Sequence, residues 1–169
     1  MSLPIRPSDS VYAVPPGIVQ VHAVAPVVDT SAYAANDLIG APVLLDGVAP
    51  LTEGVGSIIS VVITDADQQD APLSLVFFKS APTTGPDFTD NVELDVARDD
   101  LLKEMVGVIP VVALDYVDFK NNSVATLPAV GLGFSVGKEG KLWLVVMSEG
   151  SPTYTNSDAL GFFISTVEE

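Results

Sequence analysis

The polar stretch at residues 29–40 is the first place in this sequence where side chains could do chemistry. Asp29, Asn36 and Asp37 place oxygen and amide groups between two apolar runs, and residues 154–161 repeat the pattern in outline. Short polar side chains of this kind bond to their own backbone and favour turns over strand ladders. We therefore interpret the stretch as a turn that leads into a core strand, with the Tyr33 ring buried and its hydroxyl in water.

Three other sets of residues have types that are used in catalysis, and the sequence argues against each. Ser135 lies in a G-x-S-x-G pattern at residues 133–137, but that motif needs a following helix and a later Asp and His. His22, the only histidine, precedes Ser135 and has no carboxylate cluster near it, so we expect a structural role. The carboxylates of residues 95–104 have the spacing of a charged helix face, which favours a solvated surface. We predict no catalytic residue and no cofactor.

The acidic run at residues 65–70 is the candidate for a metal ion. Asp65, Asp67 and Asp70 could offer oxygen ligands to calcium. The EF-hand pattern fails, because the sixth position is not Gly and the twelfth, Val76, is not Glu. The chain contains no Cys, which excludes a disulfide framework and a thiolate metal site. We expect an exposed hairpin loop here and no bound metal.

Composition limits the class of protein and its partners. The 169 residues are 48% hydrophobic and 17% charged, which suits one domain with a buried core. Seven Lys and Arg against 22 Asp and Glu give a net charge of −15, which repels nucleic acid and anionic membrane surfaces. No secretory signal is visible at residues 1–7, and no apolar run is long enough to span a bilayer. We predict no nucleic-acid partner and no membrane partner.

The hydrophobic pattern predicts a mainly all-β fold. Short runs rich in Val, Ile and Thr alternate with turns, and Pro and Gly each occur 13 times. We predict an antiparallel β-sandwich formed by residues 17–169 as a single domain, with one short helix at residues 94–105. A hairpin is expected to join residues 131–137 to residues 141–147, with Trp143 as a core anchor. The other strands are expected at residues 17–28, 41–45, 55–64, 72–79, 107–116 and 160–167.

Residues 1–16 differ from the rest of the chain because they carry four prolines among polar residues. Proline fixes φ and removes a backbone donor, so we expect an extended N-terminal arm, with a frayed terminus as the alternative. The apolar side chains of this arm have little to bury against locally, which favours contact with a neighbouring subunit. With the polar stretch included, the predicted inter-subunit contacts are Leu3, Ile5, Arg6, Val11, Tyr12, Tyr33, Asn36 and Asp37.

The spacing Asp29-Thr-x-x-Tyr33-x-x-Asn36-Asp37-x-x-Gly40 resembles a group of small tailed-phage virion structural proteins, of the capsid decoration or cement type. The aromatic strand expected at residues 160–167 adds to this resemblance. Proteins of this kind are usually jelly rolls or related β-sandwiches, so the resemblance implies a jelly-roll-like fold. It also implies a chain made in the host cytoplasm that binds the outer surface of the virion head.

The resemblance implies that the partner is the major capsid protein and that the chain bridges neighbouring capsid subunits. Symmetric shells favour small oligomers at symmetry axes, and from this we expect a homotrimer. A tail or fibre module with a receptor-binding, glycan-binding face has the same composition and is the alternative. A cellular β-sandwich enzyme is a third possibility, for which the sequence supplies no residues.

Overall fold

A computed structural model describes residues 17–49, 54–82, 88–94, 99–136 and 140–168. The predicted arm at residues 1–16 lies outside the described residues. The strands are β1 (Val19–Val24), β2 (Val43–Leu45), β3 (Val55–Asp65), β4 (Leu73–Phe78), β5 (Met105–Val111), β6 (Tyr116–Asp118), β7 (Ser123–Ser135), β8 (Leu142–Ser148) and β9 (Leu160–Glu168). One α-helix, α1 (Asp99–Glu104), precedes β5, and a 3₁₀ helix (Ala113–Asp115) precedes β6.

The strands form two antiparallel sheets with the strand order of a jelly roll. The five-stranded sheet has the order β1-β9-β3-β7-β6, and the four-stranded sheet has the order β2-β8-β4-β5. Strand β1 pairs with β9, β2 with β8, β3 with β7 and β4 with β5. Successive pairs therefore nest inside one another and alternate between the sheets, which is how a jelly roll is built. The predicted fold class, a jelly-roll-like antiparallel β-sandwich with one short helix, is confirmed.

The main core lies between the two sheets. Side chains alternate along each strand, and Ile58, Val61 and Ile63 of β3 point inward and are fully buried. The alternation of β3 is interrupted once, between Ile58 and Ser60, where its register with both neighbouring strands shifts. From the opposite sheet, Leu75 and Phe77 of β4 meet them in the same cluster. Burial of this much apolar surface is the main source of stability for a sandwich.

A second cluster covers the outer face of the four-stranded sheet. All six residues of β4 are buried, because Val76 and Phe78 point away from the main core into this second cluster. Segments 36–38 and 88–94 of the same chain lie over it, and a bridge joins Asp37 to Glu93. The remaining members are Leu38, Phe88, Leu94, Met105, Trp143, Val145 and Met147. Trp143 was expected to anchor the core, but it is half-buried and packs in this outer cluster.

Three local predictions were wrong. Strands β7 and β8 belong to different sheets, so residues 131–137 and 141–147 form no hairpin. Strands β3 and β4 also belong to different sheets, so residues 65–70 connect the sheets and do not close a hairpin. The helix ends at Glu104, and Met105 pairs with Phe78 as the first residue of β5, because the strand pairing outweighs the helical spacing. Within the described ranges, no helix is long and apolar enough to cross a membrane.

Candidate functional site

The polar stretch is held in place by the hydroxyl of Tyr33. That hydroxyl donates a hydrogen bond to Asp90 Oδ1 at 2.8 Å and accepts one from the Asp29 backbone N–H at 2.6 Å. The Gly40 N–H donates to the same Asp90 oxygen at 2.7 Å. Tyr33 is only 2% exposed, so the expectation that its hydroxyl lies in water was wrong. We call Asp29, Tyr33, Gly40 and Asp90 the Tyr33 hub; it joins the polar stretch at residues 29–40 to the loop that contains Asp90, which is distant in the sequence.

Burial sets the protonation of the Tyr33 hub. Desolvation raises the pKa of the Tyr33 hydroxyl well above its usual value, and the neighbouring carboxylates of Asp90 and Asp29 raise it further. The hydroxyl therefore keeps its proton at neutral pH, and Asp90 needs that proton as a donor. Backbone N–H groups lower the pKa of Asp29, with that of Ser31 contributing most. The hub is consequently a structural support, in which both carboxylates accept bonds from the chain itself.

The two similar stretches of the sequence pack against each other. The rings of Tyr33 and Tyr154 meet edge to face, with centroids 6.0 Å apart. The Tyr33 N–H donates to the Pro152 carbonyl at 3.0 Å, and the Val28 N–H donates to the Ser157 carbonyl at 3.0 Å. Tyr154 is fully buried, and its hydroxyl has no hydrogen-bond partner within the described structure. The repeat that the sequence showed is thus a pair of loops that stabilise one another.

Of the predicted inter-subunit contacts, only part of the polar stretch lies on the surface. Asn36 is exposed, in a left-handed turn with φ 73°, and Asp37 is half-buried, with Oδ2 accepting the Ala34 N–H at 2.6 Å. Tyr33 has almost no surface to offer a second subunit. The remaining five, Leu3, Ile5, Arg6, Val11 and Tyr12, lie outside the described residues. Contact of Asn36 and Asp37 with another subunit stays a prediction.

In the acidic run at residues 65–70, the carboxylates of Asp65 and Asp67 accept hydrogen bonds from the chain itself, whereas Asp70 Oδ1 is buried and has no hydrogen-bond partner in the described structure. Asp65 is 1% exposed, and its carboxylate accepts the N–H groups of Asp67, Gln69 and Asp70 at 2.8–3.1 Å. Asp67 in turn accepts the N–H and the hydroxyl of Thr155 at 2.6 and 2.7 Å. Burial raises the pKa of Asp65, whereas the Thr155 backbone N–H, as the largest cause, lowers that of Asp67. The described residues include no group of three His, Cys, Asp or Glu placed to hold a metal ion.

The candidate catalytic groups lie apart. Ser135 is exposed at the end of β7 and pairs with Val55 of β3. His22 is on β1, which two strands separate from β7, and its Nε2 lies 3.0 Å from the Thr166 hydroxyl. Burial lowers the pKa of His22, which therefore stays neutral at neutral pH. On the helix, Glu104 contacts Lys79 at 3.9 Å across a solvent-exposed surface. The fold brings none of these groups together.

The outer face of the five-stranded sheet carries no charge on its strands. Val21 is 61% exposed and Phe163 is 42% exposed, so this face is open. Alternation and strand register place fifteen residues on this outer face. These residues are Val19, Val21 and Ala23 of β1, Phe163, Ser165 and Val167 of β9, Ser57, Ser60, Val62 and Thr64 of β3, Val117 of β6, and Val124, Thr126, Gly133 and Ser135 of β7. We call this set the uncharged face.

The uncharged face is unusual for this chain. An antiparallel sheet with one solvated face normally presents polar and charged residues there. Here the whole chain has a net charge of −15, yet the only acidic residues in the five strands of this sheet are Asp65, Asp118 and Glu168, all at strand ends. The outer face of the other sheet is covered by the chain's own loops. The two faces thus differ, one covered within the chain and one bare.

A cleft of about 400 Å³ lies between β5 and β7. Beside it, β3 advances from Ile58 to Ser60 while β7 advances from Leu132 to Pro128, so β7 contains a bulge at residues 129–131. Ala129 adopts a positive φ of 56° there, which L-residues other than Asn and Asp seldom do. Most of the lining is apolar, and it comes from Val108, Ile109, Pro110, Asp115, Thr126, Leu127, Pro128, Val130, Gly131 and Leu132. The sequence pattern predicted neither the bulge nor the cleft.

Comparison with solved structures gives distant structural likenesses. The chain is similar to a chain in the crystal structure of tomato aspermy virus, with a TM-score of 0.41 and 12% sequence identity. The similarity covers 90% of this chain and 76% of that one. No family model matches the sequence. No curated protein matches it either.

Proposed function

We propose that this chain is a structural protein of a virus particle, and specifically a phage capsid decoration or cement protein that bridges neighbouring subunits of the major capsid protein. The observation that carries the proposal is the uncharged face. A jelly roll by itself is compatible with several functions, since capsid proteins, lectins and cupins share it. The function must therefore be argued from the surface that this jelly roll presents.

The uncharged face has the composition and size of a protein-binding surface. The cores of protein interfaces are depleted in charged residues, and contiguous bare apolar surface marks interaction sites on otherwise polar proteins. The five strands of this sheet are 3 to 13 residues long. At the usual strand spacing and rise per residue they make a face of roughly 500 Å². A stable interface buries about 800 Å² on each partner, so the face would supply most of one. The acidic loops around it would remain in solvent.

Two further points support a role on a shell. The polar stretch that resembles phage decoration proteins is held by the Tyr33 hub, so three of the matching residues, Asp29, Tyr33 and Gly40, share one structural unit. A cement protein needs one surface for the shell and another for solvent, and the bare sheet and the acidic loops divide in this way. A homotrimer at a symmetry axis, with Asn36 and Asp37 near its contacts, is part of the proposal.

A pair of matched substitutions tests the uncharged face. Val21→Glu places a charge on the face, whereas Val27→Glu makes the same change at a 72%-exposed position off the sheet. Particles that lack the protein are incubated with each variant, and bound copies are counted by quantitative mass spectrometry. We expect Val21→Glu to weaken binding at least about tenfold, because a buried unpaired carboxylate costs several kcal/mol. Equal binding by both variants would refute the proposed face.

The alternative, a tail or fibre module that binds glycans, has less support from the side chains. Sugar binding commonly uses exposed aromatic rings, and in the described part of the chain only Phe119 and Phe163 are large exposed aromatics. Tyr33 and Tyr154 are buried. Copy number in purified particles separates the two functions: a number near that of the shell protein means cement, and a few copies mean a tail component.

A further inference from the structure

The cleft between β5 and β7 has both apolar walls and a free strand edge. Among the described strands, β5 pairs only with β4, so its other edge forms no ladder and faces the open side of the sandwich. Val108 is 46% exposed at the cleft, and Asp115 places a carboxylate in its lining. Such an edge beside apolar pockets is how many proteins bind an extended segment of another chain.

The composition of the cleft indicates which segment fits it. Apolar walls with one carboxylate suit a segment of aliphatic residues with one basic residue. The chain has only seven basic residues against 22 acidic ones. Residues 1–8 nevertheless contain Leu3, Ile5 and Arg6 and no acidic residue. This segment is therefore the complement of the cleft in both apolar character and charge.

The position of the chain entry is compatible with a second copy as the source of that segment. Gly17 leads into β1, which is one edge of the five-stranded sheet, and its N–H bonds to the Glu168 carbonyl. Strands β9 and β3 separate β1 from β7, a distance of about 14 Å across the sheet. Residues before Gly17 thus start at the edge opposite the cleft. When copies lie side by side, the β1 edge of one is next to the cleft of the next.

We propose that the cleft between β5 and the bulged part of β7 binds residues 3–7 of a second copy of this chain. Leu3 and Ile5 occupy the apolar part, and Arg6 lies beside Asp115. The contact is head-to-tail, because a segment at one edge binds a cleft at the other. Such contacts close into a dimer when two copies exchange their segments reciprocally, and into a trimer when three copies form a ring. This self-association rests on the homotrimer that is part of the proposed function and gives it a specific contact, but it does not require a capsid partner.

The test uses the full chain and a matched pair of variants. Val108→Glu changes the cleft wall, and Val112→Glu makes the same change at a neighbouring residue, 50% exposed, that does not line the cleft. Sedimentation velocity is measured over a range of concentrations, with and without an excess of a synthetic peptide of residues 1–8. We expect the full chain to form an oligomer. The concentration at which this oligomer dissociates should rise at least about tenfold in the Val108→Glu variant and in the presence of the peptide, but should not change in the Val112→Glu variant.

Three results would overturn the inference. The full chain could sediment as a single copy at every concentration, or the peptide could leave the oligomer unchanged, or Val112→Glu could weaken it as much as Val108→Glu. If the chain is a monomer and Val108→Glu changes the hydrogen-exchange protection of residues 1–8, the segment binds the cleft of its own copy. None of these results bears on Val21→Glu and particle binding, so a failure here is distinguishable from a failure of the proposed function.

Discussion

Replacing either of two contacting tyrosines by Phe is expected to change the stability of the fold by different amounts. Tyr33 and Tyr154 are both buried and meet edge to face. The Tyr33 hydroxyl makes two hydrogen bonds, to Asp90 and from Asp29, whereas that of Tyr154 has no partner in the described structure. Replacement by Phe keeps each ring and therefore the ring contact. The difference between the variants isolates the hydroxyl groups.

The magnitude follows from the bonds that are lost. A hydrogen bond to a charged group contributes about 1.5–3 kcal/mol and one between neutral groups about 1 kcal/mol. Asp90 keeps the Gly40 N–H in the Tyr33→Phe variant, which limits the loss, so we expect a decrease in the free energy of unfolding of about 2–3 kcal/mol. For a chain of this length that lowers Tm by roughly 4–12 °C. Tyr154→Phe removes a buried, unpaired hydroxyl and should be within about 0.5 kcal/mol of the parent, or more stable.

Urea unfolding of the parent and both variants measures these differences, with equal m-values as the check that the variants can be compared. If Tyr33→Phe loses no more stability than Tyr154→Phe, the Tyr33 hub does not hold the loops together. The loops around residues 29, 40 and 90 would then depend on apolar packing alone.

Two further predictions concern pH and backbone packing. Burial raises the folded-state pKa of Asp65, so its contribution to stability is present below the unfolded value of 3.8 and is lost as pH rises through the folded value. The pKa values of Asp29 and Asp67 are lowered, so their contributions to stability are present above 3.8 and are lost as pH falls through their folded values. Thermal unfolding between pH 7 and 3 should thus show a maximum on the acidic side of neutrality, and a Tm that falls steadily from pH 7 would contradict this. Gly56→Ala should lower the free energy of unfolding in urea by about 2–4 kcal/mol, because the new Cβ would lie 2.5 Å from the Val167 carbonyl oxygen. Gly133→Ala is the control, because a Cβ there has no atom closer than 4.0 Å. Equal stability of the two variants would contradict the close packing at Gly56.

The strands could be predicted from the sequence, but their partners could not. Alternation from Val55 onward and the apolar run at residues 72–79 predicted β3 and β4 nearly to their ends. The periodicity of apolar residues indicates which residues are buried, but it does not indicate which strand pairs with which. Residues 131–147 looked like a hairpin for that reason, although β7 and β8 are in different sheets.

The candidate surfaces were less predictable than the fold. Uncharged residues such as Ser60, Val62 and Thr126 are unremarkable in the sequence, and only the strand register places them on one face. The Tyr33 hydroxyl was expected in water because its partner, Asp90, is 57 residues away. The cleft depends on a bulge at Ala129, a residue with no intrinsic preference for a positive φ. Each missed feature is a contact between distant parts of the chain.

The nested pairing of strands has a consequence for how the chain is made. The innermost pair, β4 and β5, is close in sequence, whereas the outermost, β1 and β9, is joined by contacts 144 residues apart, as between His22 and Thr166. Strand β9 also lies between β1 and β3, so neither can complete its ladder until β9 has left the ribosome. Folds with such distant pairings fold in milliseconds to seconds, and until then the unpaired strands can associate with other chains. We therefore expect a chain interrupted before Leu160 to aggregate during synthesis, while the complete sheet protects itself.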